Sequence, residues 1–342
     1  MTENIHSEGK NNTTNKELNQ QSNSKESSHE DNPVTNVPNN SEKKASEKKD
    51  EKKDEKITNK QMLDKLSEQI VILEQQTKRL ETHFLTEVKS LQNSIALLNK
   101  FHEQYINQQK QLEKQLHSTA QHISENVWAS IFNNTIANSG WLKDQTFSPG
   151  RWAVGYPFLY VLYRILNEIR PKKILELGLG QSTRMLAQYS SFFKEIEHCV
   201  VEHDQAWIDF FLKDFQLSSS TSLLQLDWGS TDFHEAKNIR IYKGLVNYVK
   251  NNQFNLIVID GPLGADMKEY SRIDTLLMLP NCLAESFIIM LDDYNRPQEQ
   301  HTFAEMRRIL DAANLPYKIG IYSGTKDTAV IASQDLKFVC SM

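Results

Sequence analysis

Five apolar runs between residues 173 and 291 each end in an acid or in an acid followed by glycine, and this ordered series limits the possible folds most. The runs are Lys173–Leu177, Cys199–Glu202, Leu223–Leu226, Leu256–Asp260 and Phe287–Leu291. Helix-length stretches separate them, and an apolar segment, Tyr156–Ile169, precedes the first. Short apolar strands alternating with helices predict a parallel sheet covered on both faces. Two more runs, Tyr317–Tyr322 and Thr328–Ala332, are joined by the turn Ser-Gly-Thr-Lys-Asp and predict a terminal hairpin with one antiparallel strand. Ligands of such sheets bind beyond the carboxyl ends of the strands. The series places Glu176 with Gly178 and Gly180 there, then Glu202, Asp227, Asp260, and Asp292 with Asp293. Any one acid could merely cap the next helix; five in register point to a common crevice.

The N-terminal part reads differently. No glycine occurs between Gly9 and Gly140, and no proline between Pro38 and Pro149, so the usual punctuation of a compact fold is missing. Residues 1–56 carry no aromatic and end in a run of seven lysines and six acids from Ser41 to Lys56. Such a segment cannot bury enough surface to offset its ordering entropy, and a disordered charged tail is expected. Residues 57–118 carry a seven-residue repeat at Leu63, Ile70, Thr77, Phe84, Leu91, Leu98, Tyr105 and Leu112. A companion series begins Leu66, Leu73, Leu80. That spacing predicts a coiled coil joining copies of the chain; one long helix folded back on the domain is the alternative. Residues 119–150 read as a helical linker, and 151–342 as the sheet domain.

Net charge is −5, which gives no reason to expect nucleic-acid binding. No apolar run reaches the ~20 residues needed to span a bilayer. The N-terminus lacks the apolar core of a secretion signal, and the three cysteines have no metal-ligand spacing. A cytoplasmic protein is expected.

The turn Glu-Leu-Gly-Leu-Gly-Gln-Ser-Thr, residues 176–183, narrows the ligand. No lysine follows the glycines, which excludes a Walker loop. A dinucleotide fingerprint needs a third glycine where Thr183 stands. Glu176, two residues before Gly178, would repel a pyrophosphate but suits an ammonium. S-adenosylmethionine combines an ammonium with a ribose and adenine and has no phosphate. Gly178 and Gly180 would let its amino-acid part approach the backbone. Glu202 would take the ribose hydroxyls, Asp227 the adenine amino group, and Trp228 would offer an aromatic face.

With these residues in place the chain resembles the class I S-adenosylmethionine-dependent methyltransferases over about residues 170–335. The motifs IDGPLG (259–264), YSRID (270–274) and LDDYNR (291–296) are similar to those of a bacterial group associated with surface-polysaccharide synthesis. The resemblance implies a Rossmann-like, doubly wound, seven-stranded, mostly parallel sheet, and methyl transfer to a hydroxyl of a sugar or other small molecule. A hydroxyl needs either a carboxylate base, Asp260 or Asp293, or a divalent cation such as Mg²⁺ on Asp260, Asp292 and Asp293. Arg272 and Arg296 would clamp an anionic acceptor, or only pair with neighbouring acids. The aromatic segment 147–158 is either a lid or core. A non-catalytic scaffold with a nucleoside-binding domain is the rival reading.

Overall fold

The computed structural model describes residues 47–342, so most of the expected charged tail lies outside the described residues. The described residues divide into two units, with the boundary between residues 95 and 96.

All described residues of the first unit belong to one helix, α1 (Glu47–Ile136), which begins inside the segment read as tail. Side chains of the repeat, Leu63, Ile70, Phe84 and Leu91, are each more than half exposed. No break occurs at residue 118, where the sequence reading placed the start of a separate linker helix.

In the second unit Leu98, Phe101, Tyr105, Leu112 and Leu116 of α1 are also exposed, and none packs on the sheet domain. Further along the helix, Phe132 and Ile136 are buried in the core, joined by Trp141 and Leu142. The segment expected to link rod and domain therefore supplies core side chains.

The main sheet contains β1 (Lys173–Leu177), β2 (Glu197–Glu202), β3 (Thr221–Gln225), β6 (Phe254–Ile259), β7 (Leu283–Leu291), β8 (Tyr317–Ser323) and β9 (Asp327–Ser333). Their order is β3-β2-β1-β6-β7-β9-β8. The first five are mutually parallel, and β9 lies antiparallel between β7 and β8. This is the expected Rossmann-like sheet with its terminal hairpin.

Both faces of the sheet are covered at its centre, which is why β1, β6, β7 and β9 are buried at odd and even positions alike. Ile174, Val258 and Met290 pack on one side with Leu162 and Leu166 of α2 (Tyr156–Glu168) and Met185 of α3 (Gln181–Phe192). Leu175, Ile257 and Ile289 pack on the other with Phe303 and Met306 of α7 (Pro297–Ala312). A remaining helix, α4 (Gln205–Asp214), covers Val200 near the edge.

One connection departs from the sequence reading. Between β3 and β6 a helix was expected; instead β4 (Trp228–Phe233) and β5 (Ala236–Tyr242) form an antiparallel ribbon, followed by one short helix, α5 (Leu245–Val249). The alternation of Thr231, Phe233, Ile239 and Ile241 with polar residues suits a strand, and His234 and Asn238 take the positive φ values near the turn.

Candidate functional site

The strand order reverses between β1 and β6, so connections leave in opposite directions and open a crevice at the strands' carboxyl ends. A cavity of about 450 Å³ occupies this position, lined among others by Gly178, Glu202, Tyr242, Asp260, Arg272 and Lys326. A second cavity of about 420 Å³ lies elsewhere, beside Lys173, Glu197 and Ser222 near the opposite strand ends.

Gly178 is required by its conformation and its neighbours. Its φ is +101°, and a Cβ there would meet the Gly261 nitrogen at 3.0 Å. The Leu177 carbonyl accepts from Asp260 N (2.8 Å) and Gly261 N (2.6 Å), so the glycine turn and the loop after β6 are laced together. Gly180 is different: its backbone is extended, and nothing lies within 4 Å of where a Cβ would be. Its N–H donates to Thr183 Oγ1 at 2.9 Å, so the threonine in the third-glycine position closes the turn from within.

Glu202, 6% exposed at the end of β2, is held in place by the backbone. Its Oε1 accepts from the N–H groups of His203 (2.7 Å) and Asp204 (3.0 Å), and its Oε2 from Leu179 (3.1 Å). Oε2 has this single partner and keeps capacity for a ligand hydroxyl. A fixed carboxylate beside a side-chain-free turn fits the ribose end of a nucleoside.

Glu176 is not among the residues that line the cavity. Residues 174 and 176 share the α2/α3 side of β1, and Glu176 is fully buried there, its Oε2 3.0 Å from His198 Nε2. His198 Nδ1 lies 3.2 Å from Thr221 Oγ1. The strand's two-residue period puts this carboxylate on the α2/α3 face, beside a histidine whose pairing the sequence does not announce, while its Oε1 is buried without a partner. Asp227 is exposed and Trp228 is 38% exposed, and neither lines the cavity. The indole is already engaged: His203 stacks on it at 3.8 Å, and the Arg240 guanidinium lies 4.3 Å from the ring. The segment 147–158 divides between its two expected roles, since Val154 and Phe158 are core while Arg151 and the 82% exposed Trp152 face the cavity.

At the far wall three acids converge. Asp260, Asp292 and Asp293 offer oxygens within 4.8 Å of one another. Cations are interleaved with them. Lys326 Nζ is 3.2 Å from Asp292 Oδ2 and 3.2 Å from Asp293 Oδ1. Arg272 donates to Asp293 Oδ2 (2.8 Å), Asp260 Oδ1 (3.3 Å) and the Asp292 carbonyl (3.0 Å). Arg296 reaches Asp293 Oδ1 at 2.9 Å and Glu299 Oε1 at 3.5 Å. Asp293 and Arg272 both hold left-handed backbone, φ +59° and +54°. Strain of that kind persists where surrounding contacts over-determine it.

These surroundings split the carboxyls. Burial, with Asp292 close by, pushes Asp260 well above the usual range. Burial also acts on Asp293, but Arg272, Lys326 and Arg296 outweigh it and hold that group low. Lys326 is raised: its carboxylate neighbours overcome the cost of burying the ammonium. Of the two roles open to these arginines, pairing with neighbouring acids is the one seen: Arg272, 3% exposed, is bound within this network, and Arg296 is partly exposed and paired twice, while both line the cavity.

The arrangement does not fit a divalent ion. A divalent ion 3–4 Å from an ammonium is repelled by roughly 8–11 kcal/mol at an effective dielectric of ~20, and Lys326 already bridges two of the three acids.

Lys326 was missed because it arrives from the far end of the chain, in the β8–β9 turn. That turn is clamped by α1. The Glu125 carboxylate accepts from Tyr156 N (2.7 Å), Thr325 N (2.9 Å) and Thr325 Oγ1 (3.2 Å). Ser124 Oγ and Trp128 Nε1 donate to the Ser323 carbonyl at 2.6 and 3.0 Å. A Cβ on Gly324 would collide with Glu125 Oε2 and lie 2.8 Å from Pro157 Cγ.

Neither a family model nor a curated protein matches the sequence. Solved structures do show distant similarity. A Staphylococcus aureus protein described as a caffeoyl-CoA O-methyltransferase is 11% identical, covering 62% of this chain and 100% of its own, with a TM-score of 0.38. The S-adenosylhomocysteine-bound methyltransferase PaMTH1 of Podospora anserina is 13% identical over 61% of this chain and 88% of its own, at 0.31. Spermidine synthase from Thermotoga maritima is 12% identical over 51% and 60%, at 0.33. At such scores the likeness is too distant to transfer a residue role or a substrate.

Proposed function

We propose that the crevice binds S-adenosylmethionine and that the chain transfers its methyl group to a hydroxyl of a sugar or surface-polysaccharide intermediate. The observation that carries this reading is the pairing of the Gly178 turn with the pinned Glu202 carboxylate beside the switch point. A pyrophosphate there would face Glu202 and Asp260, while a ribose gains a hydrogen-bond acceptor. When bound, S-adenosylmethionine supplies a methyl already activated by its sulfonium.

The chain's own residues then have two tasks. Glu202 and the glycine turn orient the nucleoside, which contributes by alignment. Asp260 faces the cavity with a raised pKa and serves as the base that takes the acceptor's hydroxyl proton. Asp293, held low by three cations, stays ionised and fixes Arg272 beside Asp260. Glu176 Oε2 is paired with His198, which leaves its buried, unpartnered Oε1 as the one oxygen it could offer the amino-acid head of the cofactor.

The exposed seven-residue stripe of α1 supports pairing with further copies of this chain. No helix of the described residues is long and apolar enough to cross a membrane, and Cys199, Cys282 and Cys340 are unpaired, which suits a reducing cytoplasm.

Calorimetry with S-adenosylmethionine and with NAD tests the cofactor. Binding of the first and not the second is expected; the reverse sinks the reading. Methyl-donor consumption on cell-envelope sugars tests the chemistry, and binding with no turnover on any acceptor favours the scaffold reading. A strictly monomeric chain in light scattering would remove the coiled coil.

A further inference from the structure

We propose that Lys326, with Arg272, permanently occupies the place of a divalent ion among Asp260, Asp292 and Asp293, so that this three-carboxylate site is filled by the chain itself and takes no metal. The inference goes beyond the cofactor reading and holds whatever the crevice binds.

Three observations support it. First, the position is right. The oxygens of the three acids lie within 4.8 Å of one another, and the Lys326 ammonium bridges Asp292 and Asp293 at 3.2 Å each. These are hydrogen-bond distances for an ammonium, longer than the ~2.0–2.6 Å of a hard cation on oxygen. Second, the charge is right. The Lys326 ammonium and the Arg272 guanidinium together supply the two positive charges of a divalent ion, Arg272 spanning Asp260 and Asp293, while Arg296 adds a third cation on the outer side of Asp293. Third, the lysine is anchored from outside the site. Its turn is fixed by Glu125, Ser124 and Trp128 of α1, so the ammonium does not depend on the acids alone for its placement.

The cation also faces the ligand. Lys326 is 9% exposed and lines the cavity. Two of its three N–H groups are used by Asp292 and Asp293; the third is available to an acceptor oxygen. Such a cation cannot be chelated away.

The test uses the full chain and Mn²⁺ as probe, read by electron paramagnetic resonance of the free ion and by melting temperature. The parent protein is expected to bind no Mn²⁺ at this site and to melt at the same temperature in EDTA and in Mn²⁺. Lys326→Ala exposes the acids and is expected to gain one Mn²⁺ site, with a melting temperature raised by about 5–10 °C at a ~100-fold excess over Kd. Lys326→Ala/Asp292→Asn is expected to lose that gain, which separates this site from weak binding by other acids. Two results overturn the proposal: Mn²⁺ binding by the parent that Asp292→Asn abolishes, or a folded Lys326→Ala that gains none. If Lys326→Ala does not fold, the parent and Asp292→Asn decide alone. Identical Mn²⁺ behaviour in the two supports a self-filled site, and a difference overturns it. Because the readout is metal binding, it stands apart from any failure of methyl transfer.

Discussion

Asp274 offers a stability test whose size follows from the structure. It opens α6 (Asp274–Met278), is 1% exposed, and accepts from Tyr242 N through Oδ1 at 2.9 Å. Its Oδ2 is buried without a partner. Burial raises its pKa from 3.8 to about 7, against the opposing effect of the Tyr242 hydrogen bond. The folded state thus binds this proton more tightly than the unfolded chain. Its contribution to stability is complete below pH 3.8 and is lost as pH rises toward 7, at up to about 1.4 kcal/mol per pH unit. The full loss is about 4 kcal/mol and is reached near pH 7, above which it is level. Asn at this position copies the neutral acid: one oxygen still accepts from Tyr242, and an N–H replaces the O–H at the unpartnered position. Asp274→Asn should therefore match the parent near pH 4 and exceed it by up to about 4 kcal/mol at pH 8. Urea unfolding of both proteins across this range, followed by tryptophan fluorescence, measures the difference. A difference that stays flat with pH would show that the carboxyl is not desolvated, and the reasoning from burial would fail.

Two other perturbations address the crevice and its support. Gly178→Ala forces a side chain into φ +101° and against the Gly261 nitrogen, and should cost about 2 kcal/mol or more of stability, with at least a tenfold loss of S-adenosylmethionine affinity by calorimetry. Gly180→Ala meets nothing in the protein, so its stability should stay within about 1 kcal/mol; full cofactor affinity in Gly178→Ala would refute the role of the turn. Glu125→Ala removes three hydrogen bonds to a carboxylate and should speed hydrogen exchange at the Thr325 amide by roughly 30-fold or more, with a smaller effect for Glu125→Gln. Unchanged exchange at Thr325 would show that the turn is held by something else.

What the sequence made legible follows from how local each cause is. The central strands of the main sheet could be read because burial on both faces makes each an apolar run, and Gly178 because its conformation is needed within its own turn. Glu202 could be read from its place at a strand end. The β4–β5 ribbon was harder: its strands are half-exposed, and residues such as Asp232, Lys237 and Arg240 hide the alternation. Glu176 illustrates a deeper limit. Its spacing from Gly178 is visible, but the face of the strand that it occupies is set by packing against α2 and α3, and its partner His198 comes from another strand. Lys326 was invisible for the same reason at longer range. A lysine in a hairpin turn is ordinarily a solvated charge, and only the sheet order, which inserts β9 beside β7, brings it to Asp292 and Asp293. Glu125 extends the argument to the helix. Its carboxylate looks like any other polar residue on a long amphipathic rod, yet it holds both the start of α2 and the lysine-bearing turn. The acids of the site could be read from strand ends, whereas the cations that decide how those acids behave had to be found in three dimensions.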